Sequence, residues 1–260
     1  MSDAAKEITL VNAQIDNITI SYCKPENPVG ITLWIPYLGG NREDCAAELE
    51  YIAAHNYIGI TLDPWMHGAR AENTKPGIRT RALKDFRKIM WQVLGLTTID
   101  AYKIMDWAVN EFNIDKNITA GGLSMGGDIA LSLAGLDTRI KKVAGVAASP
   151  DWNRKGMTDV MDSSRVIDQG IPSEFSSWLC TQFNPMSNRD KYTREISIQL
   201  EYGKKDTHIS YKWAEEFKKS VELCKTSKLM MDIITNEDVN HISLVQKKGV
   251  IHRALDFLVK

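Results

Sequence analysis

Apolar and polar positions along this chain switch repeatedly between a period of two and a period near 3.6. Residues 8–15 and 18–22 read as two strands joined at Asp16-Asn17, a pair suited to a tight turn. Ile18, Ile20 and Tyr22 alternate with polar neighbours, as an edge hairpin with one wet face requires. Residues 31–35 and 57–62 are near-continuous apolar runs, which fit strands covered on both faces. Between them, Ala46, Leu49, Ile52 and Ala53 recur at helical spacing over 43–55. An irregular loop is expected over 68–80. A long helical region follows, with a fresh start at Thr97-Thr98-Ile99-Asp100 and an inner face of Ala101, Ile104, Met105, Ala108 and Phe112.

The second half keeps the rhythm. Strands are expected at 117–120, 143–147, 196–202 and 229–234. Helices are expected at 128–134, around Trp213, Phe217 and Val221, and around Ile251, Leu255 and Leu258. Strands alternating with helices predict an α/β fold: a mainly parallel central sheet of about eight strands with helices on both faces. Residues 151–195 break the pattern. Trp152, Met157, Val160, Met161, Ile167, Ile171, Phe175, Trp178 and Phe183 lie scattered there among polar residues. This stretch reads as a small helical lid inserted into a single domain spanning 1–260.

Size and composition agree with one globular unit. A chain of 260 residues buries roughly 70–75% of its unfolded surface. The net charge of −1 gives no global attraction to nucleic acid or to an anionic membrane. No apolar run approaches the roughly 20 residues of a membrane helix. The first seven residues lack the apolar stretch of a secretory signal. Cys23, Cys45, Cys180 and Cys224 are scattered, so reduced thiols and a cytoplasmic location are the expectation. Asn17-Ile18-Thr19 and Asn117-Ile118-Thr119 match the glycosylation sequon, and both are read as chance.

The stretch with the strongest chemical content is Gly121-Gly122-Leu123-Ser124-Met125-Gly126-Gly127, a G-x-S-x-G pattern centred on Ser124. A strand-like segment precedes it and a helical one follows. A serine on so sharp a turn takes a strained backbone, and glycines two residues to either side remove the collisions. The turn lifts the hydroxyl clear of the sheet and sets a helix N-terminus beside it. A serine hydroxyl needs a base at neutral pH, histidine has the fitting pKa, and a carboxylate must fix its tautomer. In an open α/β sheet such groups gather in loops after the strands.

At these residues the chain resembles the α/β-hydrolases, and within them the dienelactone-hydrolase and prolyl-oligopeptidase-related serine esterases. The resemblance extends over nearly the whole chain. It includes Asp63-Pro64-Trp65-Met66-His67-Gly68, Leu136-Asp137-Thr138-Arg139-Ile140, Gly203-Lys204-Lys205-Asp206 and Asn240-His241. It implies an α/β-hydrolase fold and a triad in chain order serine, acid, histidine. Ser124, Asp206 and His241 fit that order, each just past a predicted strand.

Other residues compete for these roles. His208 reads as a pocket or surface residue, His67 as a structural hydrogen-bonding group, and His55 and His252 as helix residues. Asp151 is the alternative acid, and Asp238 reads as solvated. For the oxyanion hole, one N–H is expected from Met125, directly after the nucleophile. The other is expected from the loop Pro36-Tyr37-Leu38-Gly39-Gly40-Asn41, where many relatives carry His-Gly. Gly39 is the preferred donor in that loop. Prolyl oligopeptidases use a tyrosine hydroxyl there, so Tyr37 stands either as a hydroxyl donor or as an aromatic packing under the loop.

Trp65 and Trp152 end central strands and are candidates to line a substrate pocket, with structural burial as the alternative. Arg70, Arg79, Arg81 and Lys84 form either a receiver for an acidic substrate or a solvated basic face. No metal-ligand spacing and no dinucleotide fingerprint occur, so no cofactor and no metal are expected. The expected activity is cleavage of a carboxylic ester in a small or medium molecule. A peptidase, a thioesterase, an acyltransferase and a non-catalytic binding protein on the same fold are the alternatives. The expected partner is a small-molecule substrate, with neither nucleic acid nor membrane, and a homodimer is a possible assembly.

Overall fold

A computed structural model describes residues 9–72 and 77–260. Ile8 and part of the 68–80 loop lie outside the described residues. The strands are β1 (Leu10–Ile15), β2 (Ile18–Cys23), β3 (Gly30–Ile35), β4 (Tyr57–Leu62), β5 (Ile118–Leu123), β6 (Ile140–Val146), β7 (Ile196–Gly203) and β8 (Leu229–Asn236). They form one 8-stranded sheet in the order β1-β2-β4-β3-β5-β6-β7-β8. The β1–β2 and β2–β4 pairs are antiparallel and every later pair is parallel. Every residue of β3, β4 and β5 is buried, which explains their unbroken apolar runs. Asp16 takes a φ of 53° in the β1–β2 turn, a conformation that aspartate tolerates better than most residues.

Helices cover both faces. They are α1 (Ala46–Ala54), α2 (Ile78–Lys84), α3 (Phe86–Phe112), α4 (Met125–Leu136), α5 (Glu174–Phe183), α6 (Tyr211–Glu222), α7 (His241–Val245) and α8 (Lys248–Val259). The alternation of a strand assigns its side chains to the two layers. Leu33 and Ile35 of β3 join the core under α3, α4 and α6, while Trp34 joins the core under α8. From β3 the chain runs outward to β4 on one side, then returns to β5 on the other. Ligands of open α/β sheets bind at such a reversal, beyond the carboxyl ends of the strands. Ser124 and the 36–40 loop both stand there.

Two sequence expectations change. Helix α2 already begins at Ile78, inside the stretch read as loop. Helix α3 runs 27 residues without a new start at Thr97. The residues that suggest a break have other partners: Thr98 Oγ1 donates to the Leu94 carbonyl at 2.8 Å, and Thr97 Oγ1 accepts from the Trp65 amide at 3.0 Å. Gly95 lets Leu179 pack against the helix, since a Cβ there would stand 2.8 Å from the leucine Cδ2. The 151–195 stretch holds one α-helix, α5, together with two short 3-10 turns. That helix packs on α3, while Arg154, Val160 and Met161 of the same stretch border the cavity beside Ser124. Trp152 and Met157 sink into the core, whereas Met161 and Ile171 are exposed. The four cysteines are unpaired.

Candidate active site

Ser124 joins β5 to α4 with φ 49° and ψ −113°, a backbone that a side chain rarely adopts. Its amide donates to the Val146 carbonyl at the end of β6 across 2.7 Å, which holds the strained turn. Gly126 makes the turn possible, because a Cβ there would strike the Ile35 and Pro36 backbone. The first turn of α4 therefore presses directly on the end of β3 and on the loop that follows it. The Met125 amide is the first of the N-terminal donors that an α-helix leaves without an internal acceptor.

His241 opens α7, with Asn240 as the N-cap. Its Nε2 lies 3.1 Å from Ser124 Oγ, and its Nδ1 lies 2.8 Å from Asp206 Oδ2. The other oxygen of Asp206, Oδ1, accepts the amides of His208 at 2.9 Å and Ile209 at 2.8 Å. An ionised carboxylate only accepts, so Nδ1 of His241 carries the proton and Nε2 presents its lone pair to the serine hydroxyl. Gly203 brings the two supporting loops together: a Cβ on it would collide with the Val239 carbonyl. The Lys205 amide then donates to that same carbonyl at 3.0 Å. Asp238 instead faces solvent in an ion pair with Lys205 at 2.8 Å. Asp151 caps its own turn by accepting the Asn153 amide at 3.0 Å.

The loop after β3 departs from expectation. The Gly39 amide donates to Nε2 of His67 at 2.9 Å, so it is not free to face an oxyanion. His67 Nδ1 donates to the Trp65 carbonyl at 2.8 Å, and burial lowers the imidazole pKa, which keeps it neutral. Asp63, fully buried, accepts the amides of Arg42 and Ala69, both at 2.9 Å. The 63–68 motif thus ties the 36–40 loop to the loop after β4. One residue earlier, the Leu38 amide has no acceptor among the described residues, and Leu38 lines the cavity containing Ser124. Tyr37 is 41% exposed and borders the same cavity. Its ring lies against Gly40, and its hydroxyl makes no hydrogen bond among the described residues.

No family model matches the chain, and no curated protein matches its sequence. Solved structures do match. TT1662 from Thermus thermophilus superposes with a TM-score of 0.72 at 16% identity, over 97% of both chains. Acetyl xylan esterase 1 from a Thermoanaerobacterium species gives 0.63 at 17% identity, over 97% of this chain and 87% of that one. Esterase 2 of Thermogutta terrifontis, solved after phosphonylation by sarin, gives 0.62 at 13% identity, over 96% and 92%. The fold is that of the α/β-hydrolases.

Within this α/β-hydrolase fold, Ser124 and His241 line a cavity of about 560 Å³. Its walls are largely apolar, with Leu38, Leu83, Phe86, Met90, Val160 and Ile242 among them. Neither tryptophan singled out from the sequence is there. Trp152 is 0% exposed, donates its amide to Asn184 Oδ1 at 3.0 Å, and accepts Trp91 Nε1 on its carbonyl at 3.1 Å. The chain after β6 dives beneath α3, so the residue at the strand end is core. Trp65 follows β4, a strand separated from β5 by β3, and its ring packs under Arg70 at 4.9 Å. The basic cluster disperses: Arg70 pairs with Asp100 at 2.7 Å and Arg81 with Glu72 at 2.8 Å, while Arg79 alone of the four borders the cavity.

Of two further polar residues on the cavity, His208 reads from the sequence as a pocket or surface residue and Arg154 carries no sequence signal. Arg154 is buried and ion-paired with Asp128, one turn beyond Ser124 on α4. Burial pushes the Asp128 carboxyl up to about 6, and the Arg154 charge opposes that rise. His208 stands edge-on to His241, with ring centroids 5.1 Å apart. Among the described residues no group of three or more His, Cys, Asp or Glu side chains could hold a metal ion. Among the described residues no helix is long and apolar enough to cross a membrane.

Proposed function

We propose that this chain is a serine hydrolase that cleaves a carboxylic ester of a small or medium molecule through an acyl-enzyme on Ser124. The observation that carries the reading is the unbroken hydrogen-bonded line Ser124 Oγ, His241, Asp206, at 3.1 and 2.8 Å, on a strained turn opening into an apolar cavity. His241 Nε2 takes the hydroxyl proton as Oγ attacks the carbonyl carbon. Asp206 stays ionised and stabilises the imidazolium. The amides of Met125 and Leu38 receive the negative charge that develops on the carbonyl oxygen. His241 then protonates the leaving alcohol. Water activated by the same imidazole releases the acyl group and restores Ser124.

The oxyanion pair is revised from Met125 and Gly39 because the Gly39 amide is already committed to His67. Tyr37 borders the cavity without a hydrogen-bonded hydroxyl, so it is the competing donor. The cavity volume and apolar walls favour an ester of modest size over a folded protein.

The test pairs fluorophosphonate labelling with hydrolysis of p-nitrophenyl esters from acetyl to dodecanoyl, on wild type and Ser124→Ala. Labelling and turnover that both vanish in the variant are expected. Well-folded wild type that neither labels nor turns over would sink the reading in favour of a binding protein.

A further inference from the structure

Two groups on the wall of the Ser124 cavity keep hydrogen-bonding capacity that nothing among the described residues uses. The first is an acceptor. His208 Nδ1 lies 2.8 Å from the Thr158 carbonyl, so Nδ1 holds the proton and Nε2 keeps a bare lone pair. Burial, then the neighbouring charges of His241 and Arg154, lower this imidazole to about 4, so it stays neutral at neutral pH. The ring borders the cavity and touches the imidazole that faces Ser124.

The second is a donor. Arg154 is 2% exposed and borders the same cavity. One guanidinium nitrogen, Nη2, is spent on Asp128, and the group lies over the Phe86 ring at 5.2 Å. Its Nε–H is sealed away from the cavity, and Nη1 is left without a hydrogen-bond partner among the described residues. Asp128 offsets the charge, so Arg154 offers the cavity a donor more than a free cation. The turn carrying Arg154 is docked against the loop carrying His208. Thr158 Oγ1 and Thr207 Oγ1 are 2.6 Å apart, and the Thr158 amide donates to the Thr207 carbonyl at 3.2 Å.

An unused donor and an unused acceptor on one largely apolar wall are costly to desolvate unless a bound molecule meets both. A hydroxyl does so with one atom: its oxygen accepts from Arg154 and its proton goes to His208. A carboxylate meets the donor but sets its own lone pairs against Nε2. A bare alkyl chain meets neither. We propose that Arg154 and His208 form a subsite for a substrate hydroxyl near the scissile bond, and that the preferred substrates are hydroxy esters. This rests on the esterase reading above and adds a substrate class to it.

The test measures kcat/KM of the full chain on four p-nitrophenyl esters of equal carbon number: butanoate, 2-hydroxybutanoate, 3-hydroxybutanoate and the monoester of succinate. Each rate is divided by the uncatalysed alkaline rate. A hydroxy ester is expected to exceed butanoate by about tenfold, the worth of one well-made hydrogen bond to the reacting complex. His208→Phe keeps a planar ring and should bring that ratio close to one. His208→Gln restores an acceptor oxygen and should recover part of it. The ratio isolates the subsite, because packing changes around His241 slow both esters together. Equal wild-type turnover of hydroxy and plain esters, a preference for the succinate, or a ratio untouched by His208→Phe would overturn the subsite while leaving the esterase reading standing. Absence of both turnover and fluorophosphonate labelling would remove the two together.

Discussion

The Gly39 amide donates to His67 Nε2 across 2.9 Å, and this one bond ties the loop after β3 to the loop after β4. It fixes where Leu38 stands relative to Ser124. His67→Phe fills the same space but removes both imidazole hydrogen bonds, stranding the Gly39 amide and the Trp65 carbonyl. A loss of about 1–3 kcal/mol in stability is expected. In steady-state kinetics kcat should fall while KM changes little, because the amide proposed as an oxyanion donor is displaced and the cavity is not. Thermal melting and ester kinetics on the same preparation check both. Unchanged kcat would remove the loop from the mechanism.

Asp206→Asn keeps the shape of the acid and reverses its demand. If its amide nitrogen faces His241, Nδ1 becomes the lone-pair nitrogen and Nε2 the protonated one, so the base can no longer accept from Ser124. A fall of about 10⁴ in kcat with little change in melting temperature is expected. A fall below tenfold would place the orienting role elsewhere.

Tyr37→Phe decides between an amide and a hydroxyl in the oxyanion hole. With Met125 and Leu38 amides as the donors, kcat should stay within about threefold of wild type. Loss of one true oxyanion donor costs about 10²–10³. A decrease of that size would reassign the role to the tyrosine hydroxyl.

His208 should leave a mark on the pH dependence of stability. Its pKa falls from an ordinary 6.5 to about 4 in the folded chain. Between those values the unfolded chain binds a proton that the folded chain refuses. Stability is therefore complete above about 6.5 and is lost on acidification towards about 4, by at most on the order of 3 kcal/mol. His67 is lowered too and adds in the same direction, so the informative quantity is a difference. Urea unfolding from pH 4 to 7 should show a shallower slope for His208→Gln than for wild type. Parallel slopes would contradict the half-buried neutral imidazole.

Gly126→Ala tests the contact between α4 and the end of β3. The added methyl meets the Ile35 carbonyl, which is backbone and cannot swing aside. Loss of activity together with a destabilisation of about 3 kcal/mol or more is expected. A variant that melts like wild type and turns over normally would show that the two elements are not pressed together.

Much of this molecule is legible without coordinates. Solid apolar runs at β3 and β4 announce strands buried on both faces, and the alternation of β2 announces the edge hairpin. The glycines around Ser124 announce the strained turn by their spacing, although the backbone that Gly126 clears, at Ile35 and Pro36, is distant in sequence. Candidate acid and base were readable as polar residues just past strand ends, since sheet topology sends such loops to one edge.

Tertiary contacts decided the rest. Whether Thr97 and Thr98 break a helix depends on the partners their hydroxyls find, and here Leu94, one turn back in the helix, and Trp65, 32 positions away, supply them. A backbone amide has no sequence signature, so only the fold shows that Gly39 is spent on His67 and that Leu38 is free among the described residues. A tryptophan after a strand can face a cavity or the core, and the path beneath α3 sends Trp152 to the core. Arg154 meets Asp128 across 26 positions, and His208 meets the Thr158 carbonyl across 50. Period and composition fix which face a residue takes; they do not fix which distant group shares that face, and the chemistry of this cavity depends on that pairing.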